Sequence, residues 1–583
     1  MSVGLSNALN TAKAGMMANM TEIDIISHNV ANANNPDYRR QVGHLETTTP
    51  IPSGIGPRGT GVQVGRIESL YDRFLFSQVN YEQSSQGRWE ALANGLGDVE
   101  RIFNDLDGNG LASQLAEFWG GWDDLANRPE GMVERASLVG KSQTLVGTIN
   151  RMGDDLAFQR KVVNDYFVKG IDNINSLADS LRDLNLEIMG AEINGGQAND
   201  LRDKRLGLIA KLSELADVDY NETEGGQFNV MLQGGKPLVL GSEVFHLKAR
   251  ADNNGDYHAY FGSEGISLDD DFGSGKMTGW IEARSQLVKT QDELNRLTSA
   301  LIFSVNQLHF QGYDLEGGTG NTYFEHQFVL KKGMENQGDA EISFFVDAGN
   351  PAAPEGIAWA TLAGYDDYEI RFTEDYSVDG ANTPEFKVFN TTTGQELDSA
   401  YYNVDESSAG EMIISFNESG ATTPEQGYRL RLDFGTGTSP RAGDSFTLSF
   451  SELAARTVHL NPELDNPDKI AASDNYFEVP GNNKIALQIA QLQQKPVLNG
   501  SRTFSEYYTS IVSRVGTAAN MAQSRLEQSR IALGQLESRQ ESFSGVSIDE
   551  EMTNLIKFQQ TYQATAKMVN TVNELMQVLN DML

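Results

Sequence analysis

Two apolar stripes at the extreme ends of the chain constrain its fold more than any other feature. Leu555, Phe558, Tyr562, Thr565, Val569, Val572, Met576 and Leu579 recur at steps of three and four, a heptad seam that runs to the last turn of the sequence. At the other end Leu5, Leu9, Ala12, Met16, Met20, Ile23, Ile26 and Val30 form a comparable stripe. An isolated helix is marginal in water, because propensity alone does not offset the entropy of ordering it. Each stripe must be covered by the other, by the rest of the chain, or by other copies. Chain ends usually fray. Stripes that reach both ends imply ends built to be covered, and the expectation is that neighbouring copies complete them.

Between the ends the pattern changes twice. A Gly- and Pro-rich passage from Pro50 to Gly61 gives way to Val62, Val64 and Ile67 in alternation, a loop and short strand. Helical periodicity then runs from Tyr71 to about Ala216, with interruptions near Gly108 and Arg128-Pro129. Its most regular portion is Val163, Phe167, Ile174, Leu177, Leu181, Leu184 and Ile188. Phe228, Val230 and Leu232 alternate before a Gly234-Gly235 turn, so 217–275 reads as a small β insertion. Helix resumes through Leu287, Leu294, Leu301, Val305 and Leu308. Period-two runs such as Tyr368, Ile370, Phe372 and Phe446, Leu448, Phe450 then mark a β domain over 321–460. Asn461-Pro462 and Asn466-Pro467 read as linkers into a last helical stretch from Phe504, which Gly545 punctuates.

Composition narrows the function classes. A formal net charge of -36 over 583 residues would repel phosphate backbones and anionic headgroups, so nucleic acid and membrane surface are poor partners. No segment approaches a membrane span, and only Lys13 is basic before Arg39, so no cleavable signal is expected. The absence of cysteine removes disulfides, thiolate metal sites and thiol nucleophiles together. A hydrophobic fraction of 39% suits a chain of several small domains, which bury less of their surface.

The amino-terminal stripe leads into Ser27-His28-Asn29-Val30-Ala31-Asn32-Ala33-Asn34-Asn35-Pro36-Asp37-Tyr38-Arg39-Arg40-Gln41. This run resembles the signature of the bacterial flagellar axial family of rod, hook and hook-associated proteins, and the helix from Glu551 resembles their matching carboxy-terminal segment. Family members have Thr-Pro-Gly where this chain has Asn35-Pro36-Asp37. The turn survives that change, since Asn suits its first position and Pro its second. Inside the chain, Asn199-Asp200-Leu201-Arg202-Asp203-Lys204-Arg205 and Asn306-Gln307-Leu308-His309-Phe310-Gln311-Gly312-Tyr313-Asp314-Leu315 resemble segments of hook-associated proteins of the hook–filament junction. Rod proteins are much shorter.

The resemblance implies a multidomain α+β, elongated fold: terminal helices in a coiled-coil-like pair (1–38 with 546–583), a long helical-bundle rod (39–216 with 276–320 and 461–545), and inserted β-rich domains (217–275 and 321–460). It implies a structural, non-enzymatic component joining hook to filament by helical subunit assembly, without cofactor or metal. The expected interface comprises Leu5, Leu9, Met16, Met20, Ile23, Val30, Asn32, Pro36, Tyr38, Leu555, Phe558, Tyr562, Val569, Val572, Met576 and Leu579. The implied partners are other copies of the chain, hook protein, the next hook–filament junction protein, and a cytoplasmic export chaperone on the carboxy-terminal helix. The implied location is the extracellular flagellum, reached through the flagellar export channel. Two alternatives stand beside it: a hook protein forming a long homopolymer, and a secreted calcium- or carbohydrate-binding protein using acids such as Asp269-Asp270-Asp271.

Other motifs carry less. Gly54-Ile55-Gly56-Pro57-Arg58-Gly59 fits a dinucleotide fingerprint but lacks the strand before it and the helix after it. Gly140-Lys141-Ser142 lies in helical periodicity, with no loop to cradle phosphate. Asp105-Leu106-Asp107-Gly108-Asn109-Gly110 opens like an EF-hand, yet its twelfth position is Ala116 and the glutamate falls one later, at Glu117. None of the seven histidines forms an i,i+4 pair. His309 reads as a structural residue near a helix end.

Overall fold

The computed structural model describes residues 2–52, 56–103, 110–193, 195–223, 225–252, 254–262, 265–327, 329–333, 336–338, 341–346, 367–375, 386–391, 394–397, 402–405, 411–416, 428–433, 440–498 and 501–581. The EF-hand-like run, apart from Gly110, and the first part of the glycine fingerprint lie outside the described residues.

Helices carry most of the described chain: α1 (Ser2–Ala31), α2 (Arg73–Ile102), α3 (Leu111–Asn127), α4 (Met132–Glu192), α5 (Asn199–Leu215), α6 (Gly275–Gln311), α7 (Ala454–Thr457), α8 (Lys484–Gln491), α9 (Phe504–Ser544) and α10 (Ile548–Asp581). Local chemistry sets several of their ends. Asp72 accepts the Phe74 and Leu75 amides at the start of α2. Thr503 and Glu506 exchange side-chain bonds with each other's amides in a capping box that starts α9. Gly140-Lys141-Ser142 lies inside α4, where the Ser142 hydroxyl is 2.7 Å from that of Tyr323. The periodicity reading missed the break between α4 and α5, where Gly195 takes a positive φ of 86°.

By internal packing the chain divides into two units, 1–94 with 164–283 and 521–583, and 95–163 with 284–520. In the first, β1 (Gln41–Thr47) and β2 (Val62–Ser69) form an antiparallel hairpin, and β1 is a strand the sequence reading did not find. β3 (Val218–Glu222), β4 (Phe228–Leu232), β5 (Pro237–Leu240) and β6 (Glu243–Val244) make one antiparallel sheet, and β7 (Leu247–Ala251) pairs with β8 (Tyr257–Phe261). Their inward residues Phe228, Val230, Leu232, Val239, Leu247 and Ala259 share a core with Phe167, Ile174 and Leu181 of α4 and Leu206, Ile209 and Leu212 of α5. The helical stripe read at period 3.6 and the strand read at period two are thus the two halves of one core.

The second unit has two further cores. Tyr368, Ile370 and Phe372 of β12 (Tyr368–Phe372), Val388 of β13 (Phe386–Asn390) and Phe446 and Leu448 of β18 (Ser445–Ser449) are buried with Phe303. A five-stranded sheet orders β10 (Val329–Lys332), β18, β12, β13 and β14 (Gln395–Glu396), and a four-stranded one orders β11 (Glu341–Val346), β17 (Tyr428–Asp433), β16 (Glu411–Phe416) and β15 (Tyr402–Asp405). The other core is aromatic: Phe118 and Trp122 of α3 lie against Tyr323, with His309 edge-on to both Trp122 and Tyr323. The stretch after Asn461 corrects the linker reading. Asn461 and Asn466 cap short 3-10 turns with Pro just inside, and Leu464, Ile470, Ile485 and Ile489 are buried. An Asn-Pro pair can begin a turn of helix as well as end one, and sequence alone does not distinguish the two.

Candidate assembly interface at the two chain ends

α1 packs against α10 and against the β1–β2 hairpin. A Cβ on Gly15 would lie 3.6 Å from the Thr565 methyl, and the Asn29 amide donates to Glu551 Oε2 at 3.1 Å. Gly15 to Asn29 spans fourteen residues of α1, and Thr565 back to Glu551 spans fourteen of α10. The two helices therefore run antiparallel. The seams expected to await sister copies face each other within one chain, because an antiparallel hairpin of the two ends buries both stripes at once.

The α10 seam is legible throughout: Leu555, Phe558, Tyr562, Thr565, Val569, Val572, Met576 and Leu579 are all half-buried. On α1, Leu5, Leu9, Met16, Ile23 and Val30 are half-buried, and Ala12 and Ile26 are buried. Met20 departs from this set, 56% exposed, while Asn19 beside it is 8% exposed. Spacing explains the difference. Leu5, Ala12, Asn19 and Ile26 recur at seven, so geometry selects Asn19 where hydrophobicity selects Met20.

A second buried face of α1, Ala18, Glu22, Ile25 and Asn29, meets the hairpin; a side chain at Gly43 would collide with Glu22. Beyond α1 the predicted turn forms. Tyr38 donates its amide to the Asn35 carbonyl at 3.1 Å, and the Asn35 side chain accepts the Asp37 amide at 3.2 Å. Pro36 is exposed, Asn32 half-buried, and Tyr38 half-buried with its hydroxyl donating to Asn29 Oδ1 at 2.7 Å.

Below this turn sits a polar knot that sequence reasoning named only as part of a signature. Asn29 bonds the Gln41 backbone both ways, at 2.9 Å each, besides its bonds to Tyr38 and Glu551. Arg40 Nε lies 2.7 Å from Glu551 Oε1, and the Arg40 amide donates to the Ser544 carbonyl at 2.9 Å. The run Asn199–Arg205 supplies the rest: Asp200 accepts from the Gln41 side chain, and Asp203 from the Arg39 amide and the Ser69 hydroxyl. Arg205, fully buried, stacks 3.6 Å above the Phe228 ring and donates to the Gly226 carbonyl at 2.7 Å. Burial pushes the Asp203 carboxyl up to about 6, against the pull of Arg39. It raises Glu22 as well, with the Glu551 charge adding to burial. Among three acids in the first turn of α10, nothing in the sequence marks Glu551 as the one that turns inward.

Beyond the seam, six large apolar side chains of α10 are uncovered: Ile548, Met552, Ile556, Met568, Leu575 and Val578 are exposed, Met568 and Leu575 directly beside the seam residues Val569 and Met576. α1 adds exposed Met17. Of the acids considered for calcium or glycans, Asp269 is engaged, accepting the Ala259 amide at 3.0 Å with His258 Nδ1 at 2.7 Å. Among the described residues no group of three or more His, Asp or Glu is arranged to hold a metal, and no helix is long and apolar enough to cross a membrane.

Comparison with known proteins agrees with this arrangement. Residues 96–324 match the family model "Flagellar hook-associated protein FlgK helical domain", and 540–582 match "Flagellar basal body rod FlgEFG protein C-terminal". A multidomain α+β chain whose two ends pair, the second with the carboxy-terminal segment of rod proteins, defines a bacterial flagellar axial protein. The chain is 27% identical over 590 residues to flagellar hook-associated protein 1 of Escherichia coli strain K12, and 25% identical over 590 residues to that of Salmonella typhimurium, covering 99% of both chains in each case. The flagellar hook junction protein FlgK from Burkholderia pseudomallei shares the fold, with a TM-score of 0.60 over 81% of this chain and 100% of that one, at 19% identity. The chain belongs to the family of flagellar hook-associated protein 1, structural components of the flagellar junction.

Proposed function

We propose that this chain joins hook to filament as a subunit of a helical assembly formed through its terminal helices. The observation that carries the reading is the set of large apolar side chains left uncovered along α10. Ile548, Met552, Ile556, Met568, Leu575 and Val578 lie in the open although a seam of the same helix is already occupied. Exposed apolar side chains flanking a seam that is itself only half-buried call for a further partner, which one chain does not supply. Head-to-tail contacts whose rotation does not close give helical assemblies.

On this reading 1–38 with 546–583 form the assembly layer, 39–216 with 276–320 and 461–545 the helical rod, and 217–275 and 321–460 the β-rich parts. Pro36, Tyr38 and the half-buried seam residues complete the interface. Its partners are further copies, hook protein and the next junction protein. Before assembly, a cytoplasmic chaperone covers α10, and export follows the flagellar channel without a cleaved signal. The test is Leu575→Asp, which touches the open face alone. The purified variant should keep wild-type thermal stability, while cells carrying it should shed filaments and lose swarming. Normal swarming with normal filament retention would overturn the reading.

A further inference from the structure

The apolar seam between α1 and α10 does not fix its own register. Phe558, Thr565, Val572 and Leu579 recur at seven, as do Leu555, Tyr562, Val569 and Met576, and on α1 Leu9, Met16, Ile23 and Val30. A slip of one heptad brings seam against seam again, with contacts of the same kind. We propose that Glu551, gripped by Asn29 and Arg40, is a register lock that selects one docking of the terminal helices and so presents the open face of α10 at one height. The proposal rests on the assembly reading above and adds the residues that align it.

Three observations carry it. Glu551 is the one buried residue among those described in α10, 1% exposed, and it is charged. Its partners are held without it: Asn29 by the Gln41 backbone and the Tyr38 hydroxyl, and the Arg40 backbone by the Leu70 amide. A slip of seven residues moves α10 by about 10 Å. That sets Phe558 or Ser544 in place of Glu551, leaves one N–H of the buried Asn29 amide without its acceptor and takes the Arg40 guanidinium from its carboxylate, a cost the apolar seam does not carry. Glu22 lies in the same buried patch: its Oε1 has no hydrogen-bond partner among the described residues, and burial and the Glu551 charge both raise its carboxyl.

The chain contains no cysteine, so paired cysteines report register directly. Full-length chains carrying Gly15→Cys with Thr565→Cys, with Phe558→Cys or with Val572→Cys are oxidised in dilute solution. The intact lock should crosslink 15 to 565 and leave both slipped pairs near background. Adding Glu551→Leu should raise the slipped crosslinks about tenfold or more at unchanged helix content. Glu551→Gln, which keeps the shape and loses the charge, should give an intermediate rise and serves as the reading if the Leu variant does not fold. Slipped yields that stay at background in both variants, with 15–565 intact, would overturn the lock alone. A wild-type chain that forms no 15–565 crosslink would instead remove the terminal pairing on which the assembly reading stands.

Discussion

The aromatic core around Trp122 and the seam along α10 are both helix packing, but they are finished to different degrees. Trp122, Phe118, Tyr323, Phe324 and His309 have essentially no exposed surface, and their rings meet edge-on or tilted within one unit. Along α10 every apolar seam residue is half-buried, and further large apolar side chains are open. The difference is one of completeness: the first region has all its neighbours inside the chain, and the second has about half of them. It follows that truncation should cost stability in the first and function in the second.

The largest expected effect is at the finished core. Trp122→Ala should lower unfolding stability by about 3–5 kcal/mol, since the ring leaves a cavity its packed neighbours cannot fill. Denaturant midpoints check this, and a loss below about 1 kcal/mol would mean the core is looser than its burial indicates. The next effect is smaller in stability and larger in assembly. Val572→Asp sets a charge in the half-filled seam and should cost the isolated chain about 1–2 kcal/mol while removing it from filament junctions. Leu575→Asp on the open face should stay within about 0.5 kcal/mol of wild type and produce the same loss from junctions. If Leu575→Asp assembles normally and Val572→Asp does not, the seam is the whole of the interface and the open face is incidental.

Acid separates two buried groups of the two units by sign. His309 donates from Nδ1 to the Asn321 carbonyl and accepts the Ala471 amide at Nε2, which fixes it neutral. Burial holds it down to about 4, below its ordinary 6.5, so the unfolded chain takes the proton first. Its contribution is fully present above pH 6.5 and is lost as pH falls toward 4. Asp203 behaves oppositely. Pushed up to about 6 from 3.8, it takes its proton first in the folded chain, and its contribution grows as pH falls through 6. His326, also held to about 4, reinforces the first sign, and Asp292, raised to about 6 within the same unit, opposes it. Amide exchange between pH 7 and pH 5 should therefore lose protection near Asn321 and Ala471 and hold it near Arg39. Equal losses at both places would refute the assignment.

What was legible in the sequence follows from the same contrast. Periodicity found the α10 seam residue by residue, and it found Phe167, Ile174 and Leu181 against Phe228, Val230 and Leu232, because apolar burial leaves a period behind it. It did not find Glu551 or Asn29, since a buried polar pair looks like surface until its partner is known, here 522 residues away. It also read Asn461-Pro462 and Asn466-Pro467 as linkers, where the two Asn side chains cap packed turns. β1 was missed because Gln41–Thr47 has only Val42 and Leu45 as large apolar residues, too few for a period to be read.

Met20 gives the finest test of the comparison, because hydrophobicity and heptad spacing disagree there by a single position. Its side chain is open in the isolated chain, so Met20→Gln should shift thermal stability by no more than about 0.5 kcal/mol and leave the 15–565 crosslink unchanged. Asn19→Gln, next to it, should disturb both, since the longer amide must fit a buried seam position. Should Met20→Gln nevertheless reduce incorporation into junctions, Met20 joins Leu575 and Met568 as a residue whose partner lies on another molecule. Should it weaken the isolated chain as much as Asn19→Gln does, α1 docks through the stripe that hydrophobicity picks, and the seven-residue spacing is not what sets the seam.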